Sequence, residues 1–272
     1  MVYLGNLKNA KKDGFGITTW QKDSSLRIST LKSLHYQNEA NGFGIFETYS
    51  NSNNILLLSF KGEFIKNKAN GYGLYTLYKG GLYEGEWSCD LQSGIGEETW
   101  PDGSSYKGQY YKGKKNGLGT YIWKDGSKYQ GELVQNSFEG YGIYTFKDGR
   151  VYMGEWRNST MNGYGEMIYK DGKIYIGYSV NNKKEGFGML IWKQKGKAYI
   201  GFWKENNQNG IGKFVNLKGS KYGRWNKGTQ ERVFTEEEFY NALNRSGLNQ
   251  YAHYFTYGYK ALEMYLQFFK MD

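Results

Sequence analysis

Through most of the chain, large or small side chains alternate with polar ones at period 2. Tyr129-Gln-Gly-Glu-Leu133 runs ring, amide, glycine, carboxylate, aliphatic, and Gly140-Tyr-Gly-Ile-Tyr-Thr-Phe146 keeps the same beat. A period of two is that of a β-strand. The alternation is interrupted at Asp102-Gly103, Asp125-Gly126, Asp148-Gly149 and Asp171-Gly172. Asp-Gly between alternating runs signals a hairpin, because such turns need positive φ. Strands joined by short turns lie antiparallel. The pattern therefore predicts one meander of roughly 19 strands, an elongated rod or trough about 90 Å long at ~4.8 Å per strand.

The hairpins repeat in register. With Tyr152 as position 1, Gly154 is position 3, Trp156 position 5, Gly163 position 12 and Gly165 position 14. The frame restarts at Tyr3, Leu31, Phe60, Tyr83, Tyr106, Tyr129, Tyr175 and Tyr199, and positions 12 and 14 are glycine in all nine frames. Position 3 is glycine except at Ser33. A tenth frame begins near Lys221 with Gly223 and Trp225, and then stops. Positions 1, 3, 5, 12, 14, 16 and 18 share one face. A single sheet has no second sheet to bury their rings, so the glycines are expected to let strands curl and rings lie on backbone. Burying one ring stabilises by about 1.5–3 kcal/mol, more than the ~1 kcal/mol a strand glycine costs.

The string Tyr-x-Gly-Glu-Trp, then Gly-x-Gly, then Asp-Gly resembles the MORN repeat, most closely at Tyr83–Trp87 and Tyr152–Trp156. The resemblance covers about residues 1–228, with His35 and Ser179 departing from the pattern at position 5. It implies an elongated antiparallel sheet with a concave groove, and a scaffolding role in cilia, cytoskeletal structures or membrane junctions. Enzymes that carry such repeats hold a separate catalytic domain, for which residues 1–272 leave no room.

Composition adds a partner question. The net charge is +10, and it is uneven: 32 basic and 20 acidic residues in 1–228, against four and six in 229–272. A basic, ring-rich surface could meet anionic lipid, nucleic acid or acidic protein. The lysines are scattered through turns such as Lys112–Lys115, which suits solubilising and edge-protecting charge and argues against nucleic acid. No apolar run approaches 18 residues and no apolar signal core opens the chain, so an intracellular protein is expected. Cys89 is the single cysteine, and the histidines His35 and His253 lie far apart in sequence. No metal-ligand spacing occurs, and the Gly-x-Gly pairs lack the Lys-Ser/Thr and helix of a phosphate loop. Glu63, Glu86, Glu132 and Glu155 recur with the motif at position 4, so a structural role is expected rather than acid–base catalysis. The reading is of a non-enzyme without cofactor.

After Gly228 the pattern changes. Thr235 with Glu238 forms a capping box, with Phe234 and Phe239 at staple positions, predicting a helix over 235–246 ended by Gly247. A second helix over 248–270 carries the seam Leu248, Ala252, Phe255, Tyr259, Leu262, Leu266 and Phe269. The seam can cover the chain's own last strands or meet another chain. Another chain is preferred, because the first helix already stands nearest the open edge. The sequence thus predicts an all-β array over 1–228 and a helical tail over 229–272. Candidate partner-binding residues are Trp100, Tyr121, Trp123, Tyr144 and Phe146 on the groove face and Leu248, Phe255, Tyr259, Leu262, Leu266 and Phe269 in the tail. The expected function is a cytoplasmic scaffold for other protein subunits in a cytoskeletal or ciliary assembly. A homodimer remains open, and the alternative is a tether to anionic membrane.

Overall fold

The computed structural model describes residues 1–21, 27–51, 53–216 and 218–256. It holds two compact units, Met1–Ser137 and Phe138–Asp272. Among the described residues there are twenty strands, eleven between Val2 and Val134 and nine between Ser137 and Phe234. Within each unit every strand pairs antiparallel with its sequence neighbours.

One repeat of the first unit shows why these residues form this hairpin. Strands β7 (Leu82–Ser88) and β8 (Leu91–Thr99) pair from Gly85↔Gly96, then skip to Glu86↔Ser93. The skipped residues, Gly94 and Ile95, make a β-bulge, and Gly94 takes φ 57°, a left-handed conformation that glycine adopts without strain. The Glu86 carboxylate accepts the Ile95 N–H at 2.9 Å, so the recurring position-4 acid stabilises the bulge. In the second unit Glu155 does the same for Tyr164, at 3.3 Å.

The position-1 rings form the core. Tyr83, Tyr106, Tyr129, Tyr152, Tyr175 and Tyr199 are at most 2% exposed. Each lies on its own hairpin, and its hydroxyl donates to the position-4 carbonyl, as Tyr83 does to Glu86 at 3.0 Å and Tyr199 to Phe202 at 3.2 Å. Position-5 rings stand edge-on to them, Trp87 at 5.1 Å from Tyr83 and Trp203 at 5.3 Å from Tyr199. They also reach the neighbouring repeat, as Tyr110 does to Tyr83 at 5.1 Å and Trp203 to Tyr175 at 5.5 Å. Edge-to-face pairs of this kind add about 0.5–1.5 kcal/mol each beyond their buried area.

The turns differ from the sequence expectation. The two-residue turns with both φ positive lie inside the repeats, at pairs such as Lys66-Asn67, Cys89-Asp90, Asn158-Ser159 and Asn181-Asn182. The Asp-Gly pairs instead sit in wider loops where only the glycine has positive φ, as at Gly103 (90°). There Asp102 accepts the Ser104 N–H at 2.9 Å, an Asx-turn. At the two-residue turns, Asn67 is bonded twice to Ala40 of the preceding repeat: its N–H donates to the Ala40 carbonyl (3.0 Å) and its side-chain oxygen accepts the Ala40 N–H (2.8 Å). Asp90 holds Ala69 the same way at 3.0 and 2.7 Å. In the second unit Asn182 holds Met161 at 3.0 and 2.8 Å.

The tail begins later than residue 229. The turn at Lys227-Gly228 (φ 45° and 85°) closes a tenth hairpin, and β20 (Thr229–Phe234) pairs with β19 (Gly219–Asn226). Helix α1 (Glu236–Arg245) follows, with the capping box of Thr235 and Glu238 in place and Gly247 at φ 66°. A 3-10 turn at Asn249–Tyr251 leads into helical residues 252–256.

Candidate functional site

The rings at positions 16 and 18 lie beside the buried position-1 tyrosines and are only half-buried. In the first unit, β10 (Lys114–Ile122) carries Tyr121, and Trp123 follows it. Trp100 stacks on Tyr121 with centroids 5.2 Å apart and planes 18° from parallel, and Tyr121 meets Trp123 at 4.4 Å. The Lys115 ammonium stands 4.7 Å above the Trp100 ring and is paired with Glu98 at 2.8 Å. Glu98 also accepts the Tyr110 hydroxyl at 3.1 Å. Burial pushes the Tyr110 phenol up, and the Glu98 charge and hydrogen bond push it further. Burial likewise raises Tyr121. Both phenols therefore stay protonated at neutral pH, and Tyr110 donates its proton to Glu98.

In the second unit Tyr144 and Phe146 are 4.6 Å apart, and Tyr144 reaches Trp156 at 5.9 Å. The Arg150 guanidinium lies 4.5 Å from the Phe146 ring and binds Asp148 at 2.8 Å. The structure thus brings the sequence-predicted rings together as a trio in one unit and a pair in the other.

A second opening on the same face of the first unit escaped the sequence reading. Phe46, Phe60, Phe64, Tyr75 and Trp87 line a cavity of about 300 Å³. The signal was present in the chain: phenylalanines at positions 1 and 5, where Tyr and Trp usually stand, remove the hydroxyl and the larger ring that would have filled the space.

The tail residues are placed otherwise than expected. Phe255 is fully buried, edge-on to Phe239 at 4.9 Å and to Phe187 at 5.5 Å. Leu248 and Tyr251 pack on the same cluster, which includes Ile200, Ile211 and Leu243. Phe255 and Leu248 are therefore core contacts of the second unit, not exposed partner contacts. The reason lies in the sheet: positions 4 and 13 of the last repeats present Phe187, Phe202 and Ile211 on the face opposite the rings, and this apolar surface is what the helices cover. Tyr259, Leu262, Leu266 and Phe269 lie outside the described residues.

No three His, Cys, Asp or Glu side chains gather as a metal site among the described residues. The position-4 acids Glu86 and Glu155 are engaged at their bulges. His35 is buried, edge-on to Tyr3 at 5.4 Å, with Nδ1 3.1 Å from the Ser33 carbonyl. Cys89 is exposed in a turn. No helix among the described residues is long and apolar enough to cross a membrane.

Comparison with known proteins agrees with the geometry. The sequence profile of the MORN repeat matches residues 3–25, 60–82, 83–105, 106–128, 129–149, 152–174, 175–197 and 199–220. The chain belongs to the MORN-repeat family. The Leu31 frame is not among the matched segments, yet β3 (Arg27–Tyr36) and β4 (Glu39–Ser50) form a hairpin there with Gly42 at φ 85°. MORN repeats are interaction modules for proteins and membranes. No curated protein matches the chain. Among solved structures, the TCP domain of Drosophila melanogaster SAS-4, in complex with a proline-rich motif of Ana2, is similar at 13% identity. The alignment covers 57% of this chain and 84% of that one, with a TM-score of 0.38. A streptogramin B lyase aligns over 86% of this chain and 87% of its own at 12% identity and a TM-score of 0.16.

Proposed function

We propose that this MORN-repeat protein is a non-catalytic scaffold whose ringed face binds other protein subunits. The observation that supports it is the stack of Trp100, Tyr121 and Trp123, which stays half-exposed although the position-1 tyrosines beside it are fully covered. Open aromatic surface rimmed by cations such as Lys115 suits an amphipathic helix laid across it, with rings supplying area and the ammonium supplying orientation. The finer reading, a cytoskeletal or ciliary assembly in the cytoplasm, rests on the family resemblance alone. Light microscopy of the tagged protein in its own cells checks it.

The test is a double substitution, Trp100→Ala with Trp123→Ala. Subunits that co-purify with the wild-type chain from native cells are expected to be lost while the melting temperature stays within a few degrees. Unchanged co-purification would remove this face from the reading. The net charge of +10 favours one alternative, a tether to anionic phospholipid. A salt-sensitive pull-down on phosphatidylserine vesicles that survives the double substitution would select it.

A further inference from the structure

Within a repeat, position 10 pairs across the hairpin with position 5, as Lys115 does with Tyr110 and Ala69 with Phe64. The side chain at position 10 therefore extends over the rings of its own repeat. In three repeats it is a lysine, and each ammonium stands over its own position-1 ring. Lys12 is 4.8 Å from the Tyr3 centroid, Lys115 5.1 Å from Tyr106 and Lys184 5.3 Å from Tyr175. Further rings close round two of them. Lys115 has Trp100 at 4.7 Å and Tyr110 at 5.6 Å, with the Glu98 carboxylate at 2.8 Å. Lys184 has Tyr169 at 5.3 Å and Trp203 at 5.7 Å. A cation within about 6 Å of such ring faces is attracted by their quadrupoles. Gln92, Gln208, Gln230, Phe138 and Met161 hold position 10 in other repeats, and only Ala40 and Ala69 stop at Cβ there.

The cavity of about 300 Å³ opens at Ala69. Its walls match those around the lysines. Phe60 stands edge-on to Trp87 of the next repeat at 5.1 Å and 79°, as Tyr175 beneath Lys184 stands to Trp203 at 5.5 Å and 82°. Phe64 lies 5.3 Å from Phe60, as Tyr110 lies 5.3 Å from Tyr106 beneath Lys115. A carboxylate is present too: Asp90 lines the cavity, one of its oxygens accepting the Ala69 N–H at 2.7 Å. Among the described residues no lysine or arginine pairs with it. The rings and the carboxylate of a lysine cage are thus in place, while the side chain that fills it in other repeats is cut back to a methyl group.

We infer that this cavity is an aromatic cage for an alkylammonium group supplied in trans, the lysine side chain of a bound protein subunit. Charge decides the class of occupant. An apolar side chain would fill the space but leave the Asp90 carboxylate at its wall without a counter-charge, whereas an ammonium meets both the rings and the carboxylate. The source of the lysine rests on the scaffold reading; the cage itself does not. Co-purification through Trp100 and Trp123 tests the former, and titration of the cage tests the latter.

Two end-blocked peptides serve as probes, Gly-Lys-Gly and Gly-norleucine-Gly, the second keeping the four-carbon stem without the ammonium. Each is titrated into the full chain and followed by NMR at the Trp87 indole N–H, which donates to the Gly73 carbonyl at 3.2 Å beside the cavity. Saturable shifts are expected with the lysine peptide, and about tenfold weaker binding with norleucine. Ala69→Lys supplies the ammonium in cis, and Ala69→Met fills the space as Met161 does in its own repeat; each is expected to abolish binding. The peptide comparison on the wild-type chain decides the matter even where a variant folds poorly. Absence of binding, equal affinity for the two peptides, or binding that survives both folded variants overturns the proposal. Capture of the chain by phosphatidylcholine vesicles, lost in Ala69→Lys, would seat a choline headgroup there and overturn the assignment to a protein lysine.

Discussion

The Tyr152 ring lies directly on Gly165 of the adjoining strand, and a Cβ added to that glycine would stand 2.5 Å from the tyrosine hydroxyl. The ring, the glycine and the hydrogen bond from Tyr152 to the Glu155 carbonyl (3.1 Å) form one device. Gly165→Ala is therefore expected to destabilise the second unit by about 1–3 kcal/mol, because the ring must move and lose that bond. Thermal melting checks it; a melting temperature equal to wild type would show that the ring has room to spare.

Acid should loosen the first unit at His35. Burial lowers its pKa below the ordinary 6.5, the Lys12 charge lowers it further, and the bond to the Ser33 carbonyl opposes both. The folded state thus prefers the neutral ring, and the unfolded chain binds the proton first. The stability that His35 contributes is complete above pH 6.5 and is lost as the pH falls below that value toward the lowered folded-state pKa. Melting temperatures at pH 7.5 and pH 5 should fall more for wild type than for His35→Phe. Equal losses in the two proteins would assign the acid sensitivity to other groups.

Phe255→Ala is expected to cost about 3–5 kcal/mol, since the ring is fully buried against Phe187 and Phe239. A residue that served only a partner would melt unchanged on truncation, so calorimetry of this variant distinguishes the two roles.

The fold was legible because three independent signals coincided in the repeats: period-2 alternation, Gly-x-Gly and, at every position 1 except Leu31, an aromatic ring. The helix start was equally plain in Thr235 and Glu238, whose reciprocal bonds need only local sequence. Two features were harder to see. Turns such as Cys89-Asp90 carry no glycine, and their positive φ is stabilised by a bond to the preceding repeat, which no local propensity reports. The destination of the seam depended on what lay opposite it. Phe202 at position 4, where Glu recurs in other repeats, was the legible clue to that face. Among the site residues, Trp100, Tyr121 and Trp123 could be placed on one face from period alone, whereas their mutual stacking could not.

Asp90→Ala removes the side-chain half of the bond to Ala69 and should cost about 0.5–1.5 kcal/mol. Hydrogen exchange at the Ala69 amide is the direct readout, and it should quicken before amides of the tyrosine-lined strands do. Unaltered protection at Ala69 would mean that the backbone half suffices.

Those paired bonds give the molecule a direction of wear. Each two-residue turn grips the hairpin before it, so a hairpin that lets go also unlatches its predecessor. Among the described residues, strand β1 (Val2–Lys8) is gripped on one flank only, by β2 (Lys11–Gln21), whereas β20 is overlaid by α1 and the buried Phe255. Within each unit, loss is therefore expected to spread from a later hairpin to the one before it, in steps of one repeat. An array built this way gives way by increments instead of all at once.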